Sequence, residues 1–170
     1  MGAAATGHGD AQILKGLQQI APAGAAQTPA QEAAAHGLRQ CGGIIDKMVS
    51  NSVNGDNAQS SMWRTQDADK HIFQSVIGIS QPGTPPDALA AIISAPLGNG
   101  TCDGAAVGIY PLAVDCTTAE AAVKNGGRLL FMLRNSRVML DANNERLFLL
   151  PGANNTCIAV AVKSYFQGDP

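Results

Sequence analysis

Apolar positions along the chain change their spacing several times, and each change marks an expected element. Ile13, Leu14, Leu17 and Ile20 recur at the one-face spacing of a helix opened by Asp10 and stopped by Pro22 and Gly24. Thr28-Pro29-Ala30-Gln31 reads as a second helix start, with Thr28 as N-cap, Pro29 in the first turn and Gln31 closing a capping box. That helix is expected to run to about Ser50, with Leu38, Cys41, Ile45, Met48 and Val49 on its apolar side. Gly37, Gly42 and Gly43 weaken it by roughly 1 kcal/mol each relative to alanine. A polar loop over 51–57 follows.

From Ser60 the period shortens. Phe73, Ser75, Ile77 and Ile79 alternate as one strand face, so 61–65 and 71–79 predict a hairpin around the polar 66–70. A continuous helix through 60–77 is the alternative. Gln81-Pro82-Gly83-Thr84-Pro85-Pro86 breaks the chain, and 87–93 reads as a short helix ending before Pro96. Thr117-Thr118-Ala119-Glu120 repeats the capping-box pattern and opens a helix ending at Asn125-Gly126-Gly127. Segments 128–133, 137–140, 146–150 and 157–166 then predict a meander of antiparallel strands. Beyond an echo of Asn99-Gly100-Thr101-Cys102 in Asn154-Asn155-Thr156-Cys157, no internal repeat stands out. The expected fold is α+β: an antiparallel β-sheet with N-terminal helices packed on one face. Residues 10–170 form a single domain behind a loose tail over 1–9.

Composition narrows the function. Hydrophobic residues make up 45% of the 170, but alanine inflates that share, so the core is expected to be thin and aliphatic. A net charge of -2 carries no footprint for nucleic acid, whose phosphates demand clustered Lys and Arg. Arg128, Arg134, Arg137 and Arg146 form the densest basic group and read as solvated strand faces and turns. No run approaches the length of about 20 apolar residues that crosses a bilayer as a helix. The opening MGAAATGHGD resembles a start Met-Gly placed before a mature N-terminus, so an export signal is expected to belong upstream.

Four cysteines, Cys41, Cys102, Cys116 and Cys157, allow three disulfide pairings, and none sits in a CxxC. With an even count and few lysines they point to an oxidising compartment, periplasmic or extracellular. Catalytic patterns are missing. His8 lies in the tail, His36 and Cys41 would stand about 140° apart round a helix, and His71 reads as a surface residue. Asp67, Asp69 and Asp87 lack the dense alternation of a calcium loop. No catalytic, cofactor-binding or metal-binding residues are therefore assigned.

The stretch GNGTCDGAAVGIYPLAVDC, Gly98 to Cys116, offers a choice. Run as one strand, 103–115 would hold its ends roughly 40 Å apart, whereas a disulfide needs Cα atoms within about 7 Å. Pro111 counts against an unbroken strand, having no N–H for the ladder. The expectation is a loop tied by Cys102–Cys116, with Gly108, Ile109, Tyr110 and Pro111 as an exposed partner-binding tip. The alternative is an edge strand, with Cys41–Cys102 and Cys116–Cys157 paired instead. The function expected is that of a periplasmic or secreted, non-catalytic binding or accessory protein of inhibitor or immunity type, docking a protein partner and free to form a homo-oligomer. A small-ligand sensor with a pocket over the sheet comes second, and a small cell-wall hydrolase third.

Overall fold

The computed structural model describes residues 28–53, 56–62, 66–80, 87–143 and 145–167; the tail 1–9 and the helix expected from Asp10 lie outside them. Helix α1 (Pro29–Ala35) opens as its sequence dictates. The Thr28 hydroxyl accepts from the Gln31 amide, and the Gln31 side chain accepts from the Thr28 amide. It ends well short of Ser50. Gly37 takes a φ of 89°, a conformation that costs glycine least, and α2 (Gly42–Ser52) restarts beyond it. The joint is pinned from outside, since Asp69 Oδ1 accepts from the backbone amides of Arg39 and Gln40 at 2.7 and 3.2 Å. The single helix expected over 28–50 is two helices.

The remaining elements are β1 (Asp56–Met62), β2 (Phe73–Ser80), β3 (Ala88–Pro96), β4 (Cys102–Leu112), α3 (Cys116–Lys124), β5 (Arg128–Leu133), β6 (Ser136–Leu140), β7 (Arg146–Pro151) and β8 (Cys157–Phe166). All eight strands join one antiparallel sheet in the order β1-β2-β3-β4-β8-β7-β6-β5. The chain is an α+β single-domain fold. The C-terminal meander matches the strand pattern of the sequence. A hairpin forms, but its first strand is Asp56–Met62 rather than 61–65 and takes up part of the loop expected over 51–57, while 63–65 lie outside the described residues. Residues 87–93 do not form the expected helix. Their Leu and Ala suit a helix, but hydrogen-bonding β2 on one side and β4 on the other outweighs that weak preference. The N-cap of α3 is Asp115 rather than Thr117, its carboxylate accepting from the Thr117 and Thr118 amides at 2.8 and 3.0 Å. Those bonds, with the Thr118 hydroxyl, hold the Asp115 carboxyl below its usual range.

Two meanders of four strands, each led by a helix, meet along β4 and β8. The echo seen in sequence now extends at one constant spacing: Pro96 and Pro151, Asn99 and Asn154, Thr101 and Thr156, Cys102 and Cys157, Ala106 and Ala161, Val107 and Val162, Tyr110 and Tyr165. Pro96 pairs with Cys102 just as Pro151 pairs with Cys157. The same amide closes each turn, Leu97 onto the Thr101 carbonyl and Gly152 onto the Thr156 carbonyl. Val107 and Val162 lie directly opposite each other, so a pseudo-two-fold axis passes between β4 and β8.

The disulfides follow the same repeat. Cys41, the N-cap of α2, bonds Cys102 at the start of β4, with Cα atoms 5.5 Å apart. Cys116, first residue of α3, bonds Cys157 at the start of β8, with Cα atoms 4.9 Å apart. The Cys102–Cys116 loop does not form, and the tied tip over Gly108, Ile109, Tyr110 and Pro111 is corrected to a stretch of β4. Pro111 is tolerated because pairing of β3 with β4 ends at Ile109, leaving Pro111 with β8 alone.

Alternation decides which face is covered. Cys102 and Leu112 share one side of β4, and Leu112 lies opposite Cys157, so both disulfides rise from the same face of the sheet. Beneath α2, Ile45 and Met48 pack with Phe73, Ile77, Ile92 and Ala106. Under α3, Cys116 and Ala119 pack with Met139, Leu149 and Ala159. Gly104 lets α2 sit close, since a Cβ there would come 2.7 Å from the Met48 sulfur.

Candidate functional site

Every second residue of each strand points away from α2 and α3. On β3 these are Leu89, Ala91, Ile93 and Ala95, and on β4 Asp103, Ala105, Val107, Ile109 and Pro111. Register aligns them across the sheet. Leu89 lies opposite Ile109, Ile109 opposite Val160, Val160 opposite Phe148, Phe148 opposite Val138, and Val138 opposite Phe131. One apolar row thus crosses six neighbouring strands. Leu89 is 39% exposed, Ile93 and Ile109 37% and Phe131 55%, while Val138 within the row is buried. Single exposed aliphatics are ordinary on a protein surface, but a contiguous apolar tract marks an interaction surface. Of the described outward positions on β2–β8, only Asp103, Arg128 and Arg146 carry charge, and none lies in the row.

The helix-covered face is built differently. A small cavity lies where the two halves meet, between Tyr110 and Tyr165 and above Ala106 and Ala161, two pairs related by the repeat. Its volume of about 30 Å³ has room for a water or two, far below the several hundred Å³ of a small-molecule site. Both of its tyrosine hydroxyls are partnered. The Tyr110 hydroxyl donates to the Ser52 carbonyl at 3.3 Å, and Asn51 donates to the Tyr165 hydroxyl at 3.3 Å. Lys163 pairs with Glu145, its ammonium 5.6 Å from the Tyr165 ring centre. Burial, then Glu145 and Tyr165, push the Tyr110 phenol up; the hydrogen bond to Glu145 raises Lys163. Both groups stay protonated near neutrality, which suits a structural bridge and supplies no base.

The carboxylates weighed as ligands serve loops instead. Asp69 holds the α1–α2 joint, Asp87 accepts from the Ser80 hydroxyl at 2.6 Å, and Asp67 pairs with Lys70 at 3.6 Å. Glu120 sits between Lys124 and Arg137, whose bonds keep its carboxyl below the usual range. Among the described residues no cluster of three or more His, Cys, Asp or Glu side chains could hold a metal ion. His36 caps the end of α1 and His71 follows the short 3-10 turn over Ala68–Lys70; His8 lies outside the described residues.

The four residues of the expected tip divide between the faces. Ile109 and Pro111 point outward, into the apolar tract. Gly108 and Tyr110 point under the helices, and a Cβ at Gly108 would meet the Tyr110 ring at 2.5 Å, so the ring folds back over that glycine. Tyr110→Ala is therefore expected to cost about 2 kcal/mol in urea denaturation, through lost ring packing and the lost bond to Ser52. A change below about 0.5 kcal/mol would return the ring to solvent. The outward tract as a whole escaped sequence reasoning. Its signal was a strand apolar on both sides, as in Cys157-Ile158-Ala159-Val160-Ala161-Val162, which implies a covering on each face. No family model matches the chain, and neither a curated protein nor a solved structure does.

Proposed function

We propose that the protein is a non-catalytic binding protein of the periplasm or extracellular space that docks a protein partner through the outer face of its sheet. The observation that carries this reading is the apolar row from Leu89 to Phe131, which lies on the side of the sheet away from α2 and α3. Two disulfides with no free cysteine favour an oxidising compartment. No helix among the described residues is long and apolar enough to cross a membrane. A sheet tied to its helices by disulfides at two points is stiff, and stiffness lowers the ordering cost of docking. The cavity between Tyr110 and Tyr165 lends the small-ligand reading no support, being too small for one.

The test is capture from an extracytoplasmic extract by the oxidised protein, with Ile109→Glu and Leu89→Glu as matched baits and recovery quantified by mass spectrometry. A glutamate at the centre of a docked apolar surface is expected to lower recovery of the partner more than about tenfold. Equal recovery by all three baits would overturn the reading.

A further inference from the structure

We infer that in the free protein the outer face is covered by a second copy of the chain, packed sheet against sheet. This rests on the outer face being a docking surface, and it names the occupant that the surface has before any other partner arrives.

Three features of the face favour self-association. The first is composition. Transient docking surfaces are about as polar as the rest of a protein, whereas homodimer interfaces are richer in apolar area and poor in charge at their centre. The row through Leu89, Ile109, Val160, Phe148 and Phe131 contains no charged residue, and Asp103, Arg128 and Arg146 stand outside it. The second is relief. Leu89 and Ile93 alternate with Ala91 and Ala95 on β3, and Ile109 and Val107 stand beside Ala105 on β4, so ridges and hollows of similar size share one surface. A two-fold operation sets the ridges of one copy against the hollows of the other, as in the interdigitating inner faces of a β-sandwich.

The third is area. Six strands at about 4.8 Å, with three outward residues on each of β5, β6 and β7 and at least four on β3, β4 and β8 at about 6.8 Å, give a patch on the order of 700 Å². That is about the share each partner contributes to a standard stable interface. The result is a layered assembly of helices, sheet, sheet and helices, in which both faces of each sheet are dry. Any other partner for this face competes with the second copy, so self-association sets how much of the face is free.

The experiment is light scattering on size-separated oxidised protein at micromolar concentration, for wild type, Ile109→Glu and Ile93→Glu, with circular dichroism confirming that each variant is folded. The expected result is a wild-type mass twice the 17.4 kDa of one chain and monomeric variants, the dissociation constant rising at least a hundredfold. A dimer that persists in both variants would overturn the inference by placing the interface elsewhere. A monomeric wild type would also overturn it, and thiol labelling of Ile109→Cys then separates the two readings. Fast labelling leaves the face open to a different partner, so only self-docking fails. Blocked labelling means the chain covers its own sheet, and both readings fall together.

Discussion

Replacing Cys41 and Cys102 together by alanine is expected to lower the unfolding free energy by about 4 kcal/mol, and removing Cys116–Cys157 by about as much again. The crosslinks close spans of 61 and 41 residues, and the loop-entropy relation gives roughly 4 kcal/mol for each at 25 °C. A domain of ordinary stability has only about 5–15 kcal/mol in total, so the fully reduced chain should be close to unfolding at physiological temperature. Little else compensates. The helix-side core relies heavily on alanine, with Ala30, Ala33, Ala90 and Ala106 among its buried members, and each buries little area. Both crosslinks also act at helix N-termini, so cutting them frees the two elements that cover the sheet. Urea denaturation of the two double variants measures each contribution. Losses below about 1 kcal/mol for both would mean that packing alone holds the helices down.

Where local chemistry is strong and self-sufficient, the sequence forecasts the fold well. Thr28 and Gln31 need only each other to cap a helix, and the C-terminal meander shows alternating runs cut by turn residues. Residues 87–93 mislead because nothing local opposes a helix there; the pairing partners that make β3 a strand come from β2 and β4. The break after Ala35 is legible only in part. Gly37 signals it, but the Asp69 carboxylate that stabilises it arrives from thirty residues away. Cysteine pairing was open for the same reason. The repeat that decides it, helix start to fourth strand in each half, shows only when the Asn-x-Thr-Cys echo is extended through Val107 and Val162 to Tyr110 and Tyr165. The outward apolar row is not visible in any strand taken singly. Leu89, Ile109, Val160 and Phe148 are scattered in sequence and become neighbours only through register.

Adjacent isoleucines on β3 give the most direct test of the claim that one face is core and the other is free to dock. Ile92 is fully buried beneath α2, and Ile93, the next residue, is 37% exposed on the outer face. Ile92→Glu would place a carboxylate among Phe73, Ile77 and Met48, with the Ser75 and Ser94 hydroxyls close by but no cation among the buried residues, at a cost of several kcal/mol that should leave the chain unfolded. Ile93→Glu, measured at a protein concentration low enough to keep every variant monomeric, should stay within about 1 kcal/mol of wild type. Thermal and urea denaturation of this pair under identical conditions is the decisive measurement. The account predicts an unfolded Ile92→Glu beside a native-like Ile93→Glu; equal, large losses at both positions would show the outer face to be core and contradict it.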